Sequence, residues 1–259
     1  MTEPKRVCII SDLHCGHRAG LTPTAYHRPH SPDKFHKLQV ELWGLFTSKI
    51  HAVKHVDLLI CNGDCIDGRG VKSGSRELVE VDRNKQVEMA VECINQVEAD
   101  NIVMTFGTGY HTGNSDDKES LIAKEVGADK IGGHEFIDVN GLIFDCKHFV
   151  GNSQIPHGRA TPISREKLWN IMWAERDNQP NSDIIIRSHV HHFDYVGNSR
   201  YLGMTTPALQ GMGSIYGTRQ CSGTVDWGFV WFDVWSKERY TWKAEVLEVE
   251  SQRVSVLKY

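Results

Sequence analysis

Apolar residues fall along this chain in two rhythms, short unbroken runs and longer stretches spaced by threes and fours. Val7-Cys8-Ile9-Ile10 is the first run, the length of a buried strand, and it stops at Ser11-Asp12-Leu13-His14. A polar segment rich in Gly, Pro and His fills residues 15–30. Ser31 then fits a helix N-cap, with Pro32 at the first helical position and Asp33 in the first turn. Phe35, Leu38, Leu42, Leu45 and Phe46 recur on one helical face. Residues 56–61 form a second apolar run, ending in Asn62-Gly63-Asp64. After a Gly, Arg and Ser loop over 68–76, Val87, Ala90, Val91, Ile94 and Val97 mark a second helix. A third strand over 101–106 ends in Gly107-Thr108-Gly109-Tyr110-His111. Strand, loop and helix repeated in this order predict a parallel sheet with right-handed crossovers. Each strand carries its polar residues at its C-terminal end, where open α/β sheets place their sites.

The second half has a different texture. A short helix over about residues 118–126 leads to apolar segments at 135–139 and 142–146, separated by the hairpin dipeptide Asn140-Gly141. Thr161-Pro162 opens a helix containing Leu168, Ile171 and Met172. Ile184-Ile185-Ile186 runs into Ser188-His189-Val190-His191-His192. From Tyr195 onward short strands dominate, with turns at Gly197-Asn198 and Ser236-Lys237. Val230-Trp231-Phe232 and Trp235 read as a hairpin packed on a sheet. The expectation is one domain over residues 1–259 with two sheets.

Composition narrows the class without naming it. Hydrophobic residues make up 40% and charged residues 24%, as in ordinary globular proteins. A formal charge of −4 gives no global basic field for nucleic acid. No run of ~18 apolar residues is present, so no membrane span is expected, and no signal peptide is expected from the short apolar run that follows the opening residues. Seven cysteines without C-x-x-C suit reduced thiols in a cytoplasmic protein. Cys61 and Cys65, beside Asp64, read as buried packing.

The fourteen histidines matter through their positions. In an extended segment residues two apart face one side, so Asp12 and His14 present a carboxylate and an imidazole to one point. Asp64 and Asp67 follow the second strand, His111 the third, His148 the hairpin strand, and His189 and His191 the later apolar strand. That ordered set, each member at a strand end, points to a metal site. Mixed carboxylate and imidazole ligation suits manganese, iron or zinc better than magnesium or calcium.

The succession D-x-H, G-D-x-x-D, a Gly-rich turn with His, a single His, then H-x-H resembles the calcineurin-like metallophosphoesterase superfamily, over residues 9 to about 207. The resemblance implies an α/β fold, a four-layer αββα sandwich with two mixed β-sheets. It implies two divalent metal ions, with manganese the first choice and iron, zinc or nickel the alternatives. Asp12, His14 and His191 would hold the first, Asp64 would bridge, and His148 and His189 would hold the second. A bridging carboxylate keeps such ions ~3.5–4 Å apart, the spacing used for in-line attack on phosphorus by a metal-activated water. His111 matches the histidine that assists the leaving oxygen, and Asp67 is expected to orient a ligand or loop.

One departure stands out. The family's third motif is G-N-H followed by Asp or Glu, whereas this chain has no Asn before His111 and resembles a phage and bacterial branch with G-T-x-x-H. Tyr110 or Thr108 takes the Asn position, or Asn114 or Asp116 reaches in instead, which leaves the second metal site open. The D-x-H-x-G-H opening, with His17, resembles phosphodiesterase and exonuclease branches. Residues 26–30 are candidates to line the cleft or to form a solvated loop. Gly68 displaces the Arg of the protein-phosphatase motif, which argues against that branch. The expected activity is therefore phosphodiester hydrolysis, with a nuclease on DNA or RNA, a phosphomonoesterase and a non-catalytic metal-patch scaffold as alternatives. The expected partner is a phosphate ester, with nucleotides and nucleic acid included.

Overall fold

A computed structural model describes residues 3–27, 34–53, 55–112, 117–153, 155–213, 224–253, 256 and 258. Two mixed sheets face each other. The first has the order β11-β10-β1-β2-β3-β4 and the second β5-β6-β7-β9-β8. In the first, β1 (Lys5–Ile10), β2 (Val56–Asn62), β3 (Ala99–Thr105) and β4 (Lys130–Gly132) run parallel. The long hairpin β10 (Trp227–Ser236) and β11 (Arg239–Leu247) joins antiparallel to β1. The second sheet takes the expected hairpin β5 (Glu135–Val139) and β6 (Leu142–Cys146), turned at Asn140 and Gly141 with φ of 52° and 86°. Next to β6 stand β7 (Ile184–Arg187), β9 (Tyr201–Thr205) and β8 (Asp194–Asn198).

The inner faces meet in a core of Val7, Ile9, Ile60, Phe144, Ile184, Ile186, Met204, Val230, Phe232 and Val234. Strands buried on both faces read as continuous apolar runs, which is why β1 and β2 were so plain in the sequence. Helices α1 (Lys34–Ala52), α2 (Arg83–Asn95) and α4 (Lys118–Glu125) cover the outside of the first sheet, with Leu42, Phe46, Val87 and Ile122 buried. Asp82 caps α2 through Asn84 N, and Asp117 caps α4 through Glu119 N. The cap foreseen at Ser31, with Pro32 and Asp33, lies outside the described residues. Helix α5 (Ala160–Ala174) covers the second sheet and completes the αββα order. Strand β4 and the one-turn helix α3 (Gly109–Thr112) had no counterpart in the sequence reading. The six described cysteines are buried free thiols. Among the described residues no helix is long and apolar enough to cross a membrane.

Behind the C-terminal strand ends, a belt of buried polar side chains ties the sheets together. Thr105 Oγ1 donates to Asn62 Oδ1 at 2.8 Å, and Asn62 Nδ2 donates to Ser188 Oγ at 2.7 Å. Ser188 Oγ lies 2.7 Å from Thr206 Oγ1, itself 2.8 Å from Ser11 Oγ. Ser11 and Asn62 directly flank the Asp12 and Asp64 segments, and Ser188 precedes His189.

Helix α5 is docked by charge. Buried Arg187 meets Asp145 Oδ1 at 2.7 Å and Glu166 Oε2 of α5 at 2.9 Å. Lys167 Nζ, also buried, donates to Ser182 O at 2.6 Å and Asn181 Oδ1 at 2.7 Å. Burial opposes ionisation of Asp145, but His134 and Arg187 outweigh it and hold the carboxyl below its ordinary range. A lowered folded-state value stabilises the fold above the unfolded value of about 3.9, and that gain is lost as pH falls through the folded value. Arg187→Met leaves Asp145 buried without its guanidinium, and urea unfolding near neutral pH should show a loss of about 3–5 kcal/mol. Its acid-unfolding midpoint should move to higher pH than that of the wild type. Unchanged stability in both titrations would refute the role given to this ion pair.

Candidate metal centre

The polar residues seen at strand ends come together at one edge of the sandwich. Asp12 and His14 follow β1, Asp64 follows β2, His148 follows β6, and His189 and His191 follow β7. Asp12, His14 and His191 form one group whose potential ligand atoms all lie within 4.8 Å of one another, and Asp64, His148 and His189 form another. His191 Nε2 lies 3.2 Å from Asp12 Oδ1 and 3.2 Å from His14 Nε2. His148 Nε2 lies 3.0 Å from Asp64 Oδ2 and 3.9 Å from Asp12 Oδ1. His14, Asp64 and His111 form a third such group.

The donor set fits divalent cations. Asp12 Oδ1 and His148 Nε2 are buried and make no hydrogen bond, although polar atoms crowd around them. Such atoms converge on a common space without aligning on one another, and buried polar atoms left so are expensive unless a ligand completes them. The imidazole tautomers agree. His148 Nδ1 faces the carbonyl of Asn62 at 2.7 Å, so in the neutral ring Nδ1 carries the proton and Nε2 is free to donate electrons to a metal. His14 Nδ1 faces the Asp67 carboxylate at 3.2 Å, with the same result.

Electrostatics at the centre are those of two buried anions among imidazoles. Burial works against ionisation of Asp12, yet His191 and His148 outweigh it and its carboxyl falls below the usual range. Asp64 falls likewise, through His148 against burial. Burial alone would depress His148, but Asp64 and Asp12 push it up to about 10. For His14 burial, reinforced by the charge of His111, wins and brings it down to about 4. Burial and His148 also lower His189.

The backbone is bent to make this possible. Asp12, His14, Asp64, His189 and His191 all have φ between 45° and 73°, the left-handed region that non-glycine residues rarely enter. Gly63, with φ of 81°, lets His148 approach, since a Cβ there would lie 2.7 Å from His148 Nδ1. A Cβ on Gly107 would fall 2.1 Å from Asp64 Oδ1.

No family model and no curated protein matches the chain. Solved structures do. A double mutant of Vps29 from Entamoeba histolytica is 12% identical with a TM-score of 0.48, covering 94% of this chain and 99% of that one. Wild-type Vps29 complexed with zinc, from the same organism, is 15% identical with a TM-score of 0.41, covering 93% and 98%. An archaeal phosphodiesterase is 14% identical with a TM-score of 0.45, covering 92% and 99%. At these values none of them carries an argument about this chain, and the chemistry has to be read from its own side chains.

Asp67 bonds His14 through its carboxylate, and its backbone carbonyl accepts from His111 Nδ1 at 2.9 Å. At the third motif Thr108, rather than Tyr110, meets Asp64: its backbone N–H donates to Oδ1 at 2.7 Å, with its hydroxyl 3.2 Å away. Tyr110 is 38% exposed and packs edge-on against His111, ring centroids 4.8 Å apart. Asn114 and Asp116 lie outside the described residues. A cleft of about 420 Å³ opens over the centre, lined among others by His17, Tyr110, His111 and Gln210. His17 is buried in its wall rather than solvated, with Nδ1 accepting from Ala19 N at 3.1 Å. Tyr26 and His27 turn instead to Glu88 and Thr22, and Arg28, Pro29 and His30 lie outside the described residues.

Glu119 was missed. Fully buried in the first turn of α4, it accepts from Cys65 N at 3.0 Å and Gly107 N at 2.6 Å, clamping the two loops that carry Asp64 and Thr108. Burial and the nearby Asp64 push its carboxyl up to about 7. From sequence it is one more acid near a helix start, with nothing to set it apart. Glu119→Ala should cost about 1–3 kcal/mol for each stranded N–H and weaken manganese binding measured by calorimetry, whereas Glu119→Gln keeps one acceptor and loses less. Equal affinity in all three proteins would rule out the clamp. Saturating manganese should raise the melting temperature of the wild type, by about 2.7 kcal/mol of stability at a hundredfold excess over Kd. Asp64→Asn should abolish most of that gain.

Proposed function

We propose that this protein is a metal-dependent hydrolase of phosphate esters, a calcineurin-like metallophosphoesterase acting on phosphodiesters. The observation that carries the reading is the pair of three-residue groups around the orphaned Asp12 Oδ1 and His148 Nε2. Asp12, His14 and His191 would hold one divalent ion, His148 and His189 the other, with Asp64 between them. Manganese leads on the donor set, with iron, zinc or nickel as alternatives. When bound, the ions supply positive charge for the phosphoryl oxygens and acidify water for in-line attack.

The chain's own residues do the rest. Asp67 fixes the ring of His14 with its carboxylate and the ring of His111 with its carbonyl. His111, held at the cleft in this way, is suited to give a proton to the departing alkoxide oxygen. Thr108 N holds Asp64 from behind, and Gly107 leaves room for its carboxylate. Two aromatic rings flank the centre. Tyr110 packs on His111, and Phe149, 56% exposed, packs on His189 with centroids 4.9 Å apart. Aromatic rings beside His111 and beside His189 favour a diester bearing an aromatic or nucleoside group. The described residues lining the cleft include no Lys or Arg. A nuclease gripping a long strand would use several phosphate contacts, so a small nucleotide diester is the preferred substrate.

Bis-p-nitrophenyl phosphate should be hydrolysed in the presence of manganese, faster than p-nitrophenyl phosphate, and the activity should vanish on chelation. Absence of metal-dependent turnover of either ester would overturn the hydrolase reading. His111→Ala should keep its metal while kcat falls ~10²–10⁴-fold; a collapse of metal content would make His111 a ligand instead. Phe149→Ala should raise KM for the aryl diester by about tenfold, the size of one stacking contact, with little change in kcat.

A further inference from the structure

Most polar groups of the cleft already have a task. His14, Asp64, His189 and His191 belong to the candidate metal groups, and Asp67 serves His14 and His111. Ser73 Oγ turns back to Gly70 O at 3.0 Å. His17 and Glu77 line the same cleft and take no part in holding metal or moving the proton. Their two segments are laced together beside the centre. Arg18 N donates to Glu77 O and Val79 N to Gly16 O, both at 2.8 Å, and His17 N donates to His14 O at 3.0 Å. Gly16 is required at this bend, with φ of 98° and no room for a Cβ beside Gln86.

The hydrogen positions follow from the partners. Ala19 N–H donates to His17 Nδ1 at 3.1 Å, so the ring is neutral and carries its proton on Nε2. Glu77 Oε1 lies 3.9 Å from that Nε2, too far for a hydrogen bond between them, and accepts from Arg18 Nη2 at 3.3 Å. An N–H donor and a carboxylate acceptor therefore stand one oxygen atom apart in the wall of the cleft. A hydroxyl satisfies both, since its oxygen accepts from His17 while its hydrogen goes to Glu77. An anion at this place would be repelled by Glu77, and a cation would meet the N–H of His17. We infer that His17 and Glu77 seat a free hydroxyl on the alcohol that the substrate keeps, making them specificity-determining residues. The inference rests on the phosphodiester reading and deepens it, because it names a substrate with a hydroxyl near the phosphorus. A ribonucleoside supplies that hydroxyl together with a base for the aromatic rings of the cleft, whereas glycerol supplies the hydroxyl alone.

Calorimetry on the manganese-loaded full chain, with adenosine 5′-monophosphate and its 2′-deoxy and 3′-deoxy forms, tests this without requiring turnover. Loss of the seated hydroxyl should raise Kd at least about tenfold, because the bond lost is to a carboxylate. Glu77→Ala should bring the ratio of deoxy to ribo Kd close to one, and His17→Phe, which keeps a ring but no N–H, should lower it likewise. Glu77→Gln keeps an acceptor and should retain part of the ratio. A merely structural role would weaken all three nucleotides alike and leave their ratios standing, so circular dichroism and the ratios together separate the two effects. Equal Kd for the three nucleotides overturns the inference, as does a ratio that survives Glu77→Ala. Glycerol 3-phosphate that binds more tightly than the nucleotide, and loses that binding with Glu77→Ala, upholds the hydroxyl seat and assigns it to glycerol. A preserved ribo preference without turnover of bis-p-nitrophenyl phosphate would uphold the seat and sink the hydrolase reading, whereas turnover without the preference would do the reverse.

Discussion

Two buried carboxylates on either side of one imidazole nitrogen set the terms for the rest of this molecule. Asp12 and Asp64 lie 3.9 Å and 3.0 Å from His148 Nε2, and neither reaches bulk water. Anions so placed repel one another and have lost their hydration, which makes the arrangement costly unless positive charge is supplied. A buried lysine or arginine would neutralise them permanently. The described chain instead surrounds them with imidazoles and backbone N–H groups, His189 N on Asp12 and Thr108 N on Asp64. Imidazoles can give up their protons and become ligands, so the balancing charge is left exchangeable.

Placing those groups demands a distorted backbone. Of the ten described non-glycine residues with positive φ, five are among the six candidate ligands. Each such residue costs on the order of 1–3 kcal/mol and persists only where its surroundings over-determine it. Here the surroundings are close backbone bonds between neighbouring strand exits: Asp12 N to Gly63 O and His14 N to Asp64 O, both at 3.0 Å. The parallel pairing of β1 with β2 continues past the strands as a pair of turns. Carboxylate and imidazole are thereby swung inward from chain segments that would otherwise simply leave the sheet.

What the sequence made legible, and what it hid, follows from the range of the interactions. Strands buried on both faces show as apolar runs, and side chains at their ends show as polar interruptions, so Asp12, His14, Asp64, His148, His189 and His191 stood out before any fold was known. Contacts such as His14 with His191 join residues 177 apart, and only the fold decides which nitrogen meets which oxygen. Thr108 and Tyr110 were indistinguishable as replacements for an asparagine, because the choice depends on a one-turn helix, α3, too short to have a periodicity. Glu119 reads as an ordinary first-turn acid, and its burial comes entirely from loops packed around it. The apolar spacing of α5 announced a helix correctly but carried no information on which side faces the sheet, since that was settled by Arg187, Lys167 and Asn170.

The belt of Thr105, Asn62, Ser188, Thr206 and Ser11 has one consequence for how the halves of the molecule move. An amide nitrogen can only donate, so Asn62 Nδ2 donates to Ser188 Oγ. Ser188 Oγ is bonded in turn to Thr206 Oγ1 and Thr206 Oγ1 to Ser11 Oγ, while the carbonyls of Arg187 and Pro207 accept from Thr206 and Ser11. The circuit leaves the first sheet at β2, crosses the second, and returns beside β1. Sliding one sheet over the other by a single residue would break each crossing at once. The apolar faces on their own would tolerate small slips, but the belt makes the two sheets mesh like gear teeth, with one register and no intermediate positions.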